Sequence, residues 1–400
     1  MKWLVVLGIG EEGLAGLSPV ARALFEQAEV LVGGRRHLAM LPTADQRQRL
    51  LWGTPIQDSV NQILQWRGRA VCVLASGDPM WYGIGTTLLR QIPLDELTIL
   101  PSLSAFSLAC ARLGWSLTEV ETLSLCGRDP NLIQALIYPG ARLLVLSENR
   151  QTPARVAEIL TARGFGRSAV TVLEQMGGSQ ERIVTGEAAT GLEVEADLNT
   201  LAIDCVADPE AQFFSRLAGL PDSAYQHDGQ LTKREVRAVT LAALAPLPGA
   251  LLWDVGAGCG SIGIEWLRSH ARCRAIAIEQ HPARLQYIAA NAAALGVPTL
   301  QIVAGKAPDA LQDLPQPDAI FIGGGLTTLG LLDRCWQALR SGGRLVVNAV
   351  TVESEHLVFQ QLQQWGGCLS RIVVQRAEPV GSFWGWKAMA PITQWVAQKP

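Results

Sequence analysis

The sequence predicts an α/β protein of two domains, and three observations point there. The chain has 400 residues, more than one hydrophobic core usually supports at roughly 100–200 residues per domain. Short apolar runs alternate with segments of helical periodicity along both halves, the pattern of sheets joined by helical crossovers. Each half also opens with an apolar run that ends in glycines: Trp3–Leu7 before Gly8 and Gly10, and Ala250–Val255 before Gly256, Gly258 and Gly260.

In the first half, strands are expected at Trp3–Leu7, Val71–Ala75, Leu97–Leu100, Leu143–Leu146, Ala169–Leu173 and Leu201–Val206. Helical patterns cover Ser18–Ala28 and Thr152–Arg163. In the second half, strands are expected at Leu251–Val255, Arg274–Ile278, Leu300–Val303, Ala319–Ile322 and Arg344–Ala349. Helices fall between them at Ile262–Ser269, Pro282–Leu295 and Thr328–Leu339. This alternation argues for largely parallel sheets. Between the halves, Ala207–Gln230 lacks clear periodicity and holds Pro209, Gly219, Pro221 and Gly229, with a short apolar helical piece at Phe213–Leu217. The expected division is a first domain over 1–210, a linker over 211–228 and a second domain over 229–400. The halves share no obvious period, so no internal repeat is expected.

Composition narrows the function classes. Hydrophobic residues make up 48% and charged residues 17% of the chain, a globular balance. A net charge of −3 gives no electrostatic footprint for nucleic acid or anionic lipid. Eight scattered cysteines form no CxxC pair and no zinc-like spacing, so neither a metal nor a disulfide frame is expected, and a reducing cytoplasm is. The first apolar run is too short for a signal segment, and no stretch of about 18 apolar residues is present.

The second glycine motif carries the stronger chemistry. Asp254-Val255-Gly256-Ala257-Gly258-Cys259-Gly260 follows a buried strand and opens a helix. Glycines there let the backbone come close to a ligand, beside an electropositive helix terminus. Glu279 ends the next strand, 23 residues after Gly256, close to the roughly 20 at which an acid can take a ribose diol. The spacing differs from the GxGxxG of a dinucleotide site, although an NAD site and a plain strand–helix turn stay open at this point. After the fourth strand, Asp318–Gly325 lacks an Asn/Asp-Pro-Pro-aromatic motif, which speaks against a nitrogen acceptor. Upstream, Thr232 reads as an N-cap with Glu235 completing a capping box.

In the first half, three loops at strand ends are rich in Gly, Ser and Pro: Gly8-Ile9-Gly10, Ser76-Gly77-Asp78-Pro79 and Pro101–Ser107. Such loops would converge on one crevice, although Asp78 before a proline also suits a simple turn.

Together these segments resemble the precorrin-6Y C5,15-methyltransferase (decarboxylating) family of cobalamin biosynthesis. That family fuses a tetrapyrrole methylase (class III) domain to a Rossmann-like class I methyltransferase domain dependent on S-adenosylmethionine (SAM). The resemblance rests first on Gly8–Gly10 with Gly13-Leu14, Val32–His37, Gly77-Asp78-Pro79-x-x-Tyr82-Gly83 and Pro101–Ser107. In the second half it rests on Leu231–Arg237, Asp254–Gly260, Ala304–Pro308 and Gly323–Gly325. It implies C5 methylation of precorrin-6B in the first domain, C15 methylation with loss of the ring C acetate carboxyl in the second, and precorrin-8 as product. It implies one SAM per domain. Thr232, Gly256, Ala257, Gly258, Cys259, Gly260, Glu279 and Ala307 would touch the second SAM, and Gly10, Asp78 and Ser104 the first. Two positions depart from the family pattern: Glu11, where many tetrapyrrole methylases have proline, and Lys306, where many class I enzymes have an acid.

The acceptors are enamine-like meso carbons, already nucleophilic, so no nucleophilic side chain is required and no residue is assigned a catalytic role. The macrocycle can take up the electrons of the departing carboxylate. Lys233, Arg234 and Arg237, with Arg35 and Arg36 in the first domain, are the candidates for holding substrate carboxylates. The expected partner is a small tetrapyrrole, with no nucleic acid and no membrane, bound by a homo-oligomer. Three rivals stay open: another tetrapyrrole methylase fused to an unrelated class I methylase, a nucleic-acid methyltransferase with an accessory module, and a non-catalytic nucleotide sensor.

Overall fold

A computed structural model describes residues 2–400. The chain forms two compact units. The first takes in the chain up to Pro130 together with Tyr138–Gln212; the second takes in Asn131–Ile137 and Phe213–Pro400.

The first unit holds two five-stranded sheets. One is built from β1 (Leu4–Ile9), β2 (Val30–Gly33), β3 (Gln48–Leu51), β4 (Val71–Ser76) and β5 (Leu97–Leu100), in the order β3-β2-β4-β1-β5. All its pairings are parallel. Helices on both faces bury its central strands, which is why β1 and β4 read as unbroken apolar runs; Leu4, Val6, Val73 and Leu74 are fully buried. The other sheet contains β6 (Glu121–Ser124), β7 (Arg142–Leu146), β8 (Ala169–Glu174), β9 (Arg182–Glu187) and β10 (Asn199–Asp204), in the order β6-β7-β10-β8-β9. Only its β6–β7 pairing is parallel; the other three are antiparallel. The expectation of largely parallel sheets therefore holds for the first sheet and fails for this one. Apolar runs report burial on both faces, not strand direction, and β9 escaped notice because its residues alternate between half-buried and exposed.

The second unit is a seven-stranded sheet. Its strands are β11 (Leu251–Val255), β12 (Arg274–Glu279), β13 (Gln301–Ala304), β14 (Ala319–Ile322), β15 (Arg344–Ala349), β16 (Cys368–Ile372) and β19 (Ile392–Gln398); β17 (Gln375–Val380) and β18 (Phe383–Ala388) make a separate hairpin. The order is β13-β12-β11-β14-β15-β19-β16. The first five strands are mutually parallel, while β19 runs antiparallel to both β15 and β16. The strand order runs outward from β11 to β12 and β13 on one side and, after a crossover from β13, from β14 to β15 on the other, and this reversal opens a crevice at the strand C-termini. Trp395 of β19 is fully buried and continues a stack of Trp336 and Trp365, whose rings lie 4.5 Å apart and nearly parallel.

Most of the segment expected as a linker packs within the second unit. Residues from Phe213 onward pack in the second unit, Leu220 and Tyr225 are buried, and no helix forms at Phe213–Leu217. A buried carboxylate gathers this segment. Glu265 accepts from the Gly219 amide at 2.6 Å, the Leu220 amide at 3.1 Å and the Tyr225 hydroxyl at 2.8 Å. Arg237, fully buried, donates to Glu265 at 2.5 Å and to the carbonyls of Thr232 and Leu220. Its guanidinium also lies 4.8 Å over the Tyr225 ring.

The helix Arg234–Leu244 is capped differently from the expected Thr232–Glu235 box. Its N-cap is Lys233, without a side-chain bond. The Arg234 amide is taken instead by Asp222 at 2.9 Å, and Glu235 pairs with Arg376 at 2.6 Å. Asp222 lies far enough upstream that no local motif signals it. Among the described residues, no helix is long and apolar enough to cross a membrane, and no cluster of three or more His, Cys, Asp or Glu could hold a metal.

Removing Arg237 leaves Glu265 buried and unpaired. Arg237→Ala should lower unfolding free energy by about 3–5 kcal/mol. Arg376→Ala, whose side chain is 40% exposed, should lose about 1 kcal/mol or less. Urea denaturation of the two variants beside the wild type checks the difference.

Candidate functional sites

In the first unit, three strand ends are stitched together by their backbones. Gly77 donates its amide to the Ile9 carbonyl at 3.1 Å and accepts from the Ser102 amide at 3.1 Å. Gly8 permits this: a Cβ there would collide with the Gly77 carbonyl and the Ser102 amide. Gly77 itself has φ +52, open to glycine at little cost. The loops line an open cleft of about 880 Å³. The lining includes Gly10, Asp78, Trp81 and Ser104, together with Ser147 just after β7, Met176 just after β8 and Asn199 of β10.

All three residues expected at the first site therefore line one cleft. Two also have local duties. Ser104 caps the helix Ala105–Leu113 by accepting from the Ser107 amide at 3.1 Å. Asp78 accepts from the Met80 amide at 2.8 Å, so the turn reading of Asp78 also holds.

The two basic residues expected nearby divide. Arg36 lines the cleft, is paired with Glu11 and donates to Ser76 Oγ at 2.7 Å. Beside it, His37 is buried, and burial together with the Arg36 charge holds its pKa down to about 4. Arg35 is exposed and outside the cleft lining. It begins the helix Arg35–Ala39, where successive residues point in different directions. Glu11, the departure from the family pattern, is thus the partner that takes up Arg36.

In the second unit, the turn after β11 holds three glycines in the left-handed region, Gly256, Gly258 and Gly260, with φ +69, +60 and +83. The Gly256 and Ala257 amides donate to the Ile278 carbonyl at 3.0 and 3.1 Å. Glu279 is buried and fixes the turn from the neighbouring strand. Its Oε2 accepts from the Gly258 amide at 2.9 Å, and its Oε1 from the Gln280 and His281 amides at 2.9 and 3.0 Å. Acceptor capacity remains on Oε2.

Two adjoining hollows, of about 1240 and 520 Å³, share Gly256, Arg284 and Gly324. The larger is lined by Thr232, Lys233, Gly256, Ala257, Gly258 and Cys259 among others. The smaller is lined by Glu279, Lys306 and Ala307. Gly260 lines neither; it lets the helix Ser261–Ser269 pack against Ile288, which a Cβ would meet at 3.0 Å. Cys259 is buried, and burial pushes its thiol up to about 11, so it stays a neutral thiol.

Of the basic residues expected to hold substrate here, only Lys233 faces the cleft. Arg234 is exposed outside it. Arg237 is spent on Glu265 inside the core, a correction to its expected role. The helix period explains both: residues three and four apart share a face, and Arg237 shares its face with Thr240 and Leu241, on the buried side.

Sequence reasoning missed Arg284, Asn348 and the apolar wall of Val350, Ile372 and Ile392. Arg284 does follow the acid at Glu279 into a helix and pairs with Asp228 at 2.8 Å. Asn348 has no motif around it.

Asp254 is wholly buried, and one oxygen accepts from the Gly263 amide at 2.9 Å. Its other oxygen has no hydrogen-bond partner. Burial, with the Glu279 charge adding to it, pushes its pKa up to about 7. A raised folded-state pKa means the native state binds the proton more tightly than the unfolded chain. The carboxyl's stabilising contribution is therefore present below about pH 4 and is lost as pH rises toward 7. Asp254→Asn should gain thermal stability over the wild type at pH 8 and little at pH 4.5. Melting temperatures across that range check the sign.

Residues 3–190 match the model for tetrapyrrole (corrin/porphyrin) methylases, and residues 223–399 match a precorrin methyltransferase domain. A precorrin-6Y C(5,15)-methyltransferase [decarboxylating] from Sinorhizobium sp is 47% identical over 394 residues, covering 98% of this chain and 95% of that protein. Its namesake from Mycobacterium tuberculosis is 43% identical over 401 residues, covering 99% and 100%. The crystal structure of the C-terminal domain of precorrin-6Y C5,15-methyltransferase from Rhodobacter capsulatus is 48% identical, with a TM-score of 0.45, and covers 46% of this chain and all of that one. The chain belongs to the precorrin-6Y C5,15-methyltransferase (decarboxylating) family.

Proposed function

We propose that each unit binds its own SAM and methylates one meso carbon of a precorrin macrocycle, C5 in the first unit and C15 in the second. The second unit also removes the ring C acetate carboxyl as CO2, converting precorrin-6B to precorrin-8. The observation that carries this reading is the pair of clefts, each built where parallel strands end and each walled by glycine backbone that a side chain would block. Family membership supplies the reaction, methylation with decarboxylation.

SAM, when bound, supplies an electrophilic methyl group. The second cleft fits it on this chain's own features. The left-handed Gly256 and Gly258 keep the wall clear of side chains, and the N-terminus of the helix Ser261–Ser269 lacks a side-chain cap, which suits a carboxylate. Glu279 keeps acceptor capacity for a diol, and Ala307 lies on the same hollow. In the first cleft, Gly10, Asp78 and Ser104 would serve.

Methyl transfer needs alignment and exclusion of water more than a strong base. Accordingly, the second cleft offers an apolar wall of Phe321, Val350, Ile372 and Ile392 for a flat macrocycle. Lys233, whose side chain has no ion pair among the described residues, is the cation there for a substrate carboxylate. Arg36 holds the corresponding place in the first cleft, with its charge partly offset by Glu11.

Calorimetric titration with SAM should show two equivalents per wild-type chain. Glu279→Ala should keep one, with C5 methylation intact and C15 methylation reduced at least tenfold, the loss expected for removing a charge-assisted contact. A single equivalent in the wild type overturns the two-site reading.

A further inference from the structure

Asn348 stands at the C-terminal end of β15 and lines the second cleft. Its amide is oriented by a network that leaves no freedom to turn over. The Thr240 hydroxyl donates to the Val236 carbonyl at 2.7 Å, so its oxygen serves the neighbouring amides as acceptor. Gln394, directly opposite Asn348 across the β15–β19 pair, donates to Thr240 Oγ1 at 3.1 Å and to Asn348 Oδ1 at 3.0 Å. Asn348 Nδ2 donates to Thr240 Oγ1 at 2.9 Å. The carbonyl side of Asn348 is thus fixed toward Gln394 and the NH₂ toward Thr240. Thr240 and Gln394 are buried, so the arrangement is shielded from water. An amide NH₂ carries two donors, and the second N–H of Asn348 remains for a ligand.

Much of the surrounding wall is apolar, although Gln230, Thr232, Ser261 and the Asp228-paired Arg284 line it too. Val236, Phe321, Val350, Ile372 and Ile392 line the cleft with Asn348, and Lys233 is a cation on the same lining. The two polar donors suit different carboxylates. Loss of CO2 breaks the bond between the carboxyl carbon and its methylene. The electron pair of that bond passes into the conjugated macrocycle, and a proton from water then converts the methylene to a methyl. Negative charge leaves the carboxylate as the bond breaks, so an ammonium on it would stabilise the starting state more than the transition state. A neutral N–H in an apolar wall orients the group without that penalty.

We infer that Asn348 holds the acetate carboxylate that is expelled as CO2, whereas Lys233 holds a carboxylate that the product keeps. This rests on the decarboxylating reading of the second cleft. The test uses the full-length chain with labelled SAM and precorrin-6B, following methyl incorporation and CO2 release separately. Asn348→Leu should slow CO2 release about ten- to a hundred-fold, the effect of one hydrogen bond to a charged group. Methyl transfer should fall much less than CO2 release, so that a product heavier by one CO2 accumulates. Asn348→Asp, which sets carboxylate against carboxylate, should slow release further. Lys233→Met should instead raise the substrate KM for both products together. An undiminished SAM stoichiometry in calorimetry shows that the variants are folded. If Asn348→Leu lowers methylation and CO2 release in parallel, or changes neither, the assignment falls. A wild-type chain that methylates without releasing CO2 overturns the underlying reading as well.

Discussion

Backbone must meet backbone where the parallel strands end, and both sites depend on that constraint. At the end of β11, a Cβ on Gly256 would stand 2.9 Å from the Gly324 carbonyl oxygen, so the loops after β11 and β14 close on each other only through glycine. At the end of β1, Gly8 stands in the same relation to Gly77 and Ser102. Such contacts leave the amides at the crest of the sheet bare of side chains. A ligand can then lie against the strand ends. The two sheets differ in strand order and in what faces the crest, yet each solves the same problem with glycine where the chain turns.

Holding these loops still costs buried charge, and the second unit places that charge away from the reacting groups. Glu279 uses three backbone amides to brace the glycine turn. Glu265 and Arg237 brace the strap that carries Thr232 and Lys233 to the cleft. Asp254 is the unbalanced member, with a single amide for two oxygens. Its position beneath the turn ties the strand end to the third residue of the following helix, and the raised pKa is the physical trace of that burial.

Much of this was legible in the sequence, and the remainder shares one cause. Central strands such as β4, β11 and β14 announced themselves because both of their faces are buried. The glycine turns announced themselves because a turn of that shape leaves little choice of residue. Edge strands β9 and β16 did not, since half-exposed strands carry mixed residues, and β19 did not because its buried stretch includes the polar Thr393 and Gln394. Lys233, Arg234 and Arg237 show the limit most clearly: a basic run on paper, they become one residue in the cleft, one at the surface and one in the core. Their fates were decided by Asp222, Glu265 and Tyr225, in a segment whose Pro and Gly content reads as loop. Polar pairing across such distances leaves no periodic mark.

The same distinction governs the chemistry of the second cleft. A polycarboxylate substrate invites arginine and lysine at every contact, yet most of the arginines near this site are already paired: Arg237 with Glu265, Arg284 with Asp228, Arg376 with Glu235. What reaches the lining is one lysine without an ion pair, the Asp228-paired Arg284, the amides of Gln230 and Asn348 and the hydroxyls of Thr232 and Ser261, with apolar carbon around them. For binding alone this is a poor choice, because each ion pair forgone weakens the hold on the substrate. For a reaction in which one carboxylate must shed its charge it is a sound one. Catalysis is gained only from contacts that strengthen toward the transition state, and a cation on the departing carboxylate would weaken there. Taking up the arginine of this lining, Arg284, with Asp228 would therefore leave one carboxylate weakly held against a largely apolar wall while the others anchor the macrocycle.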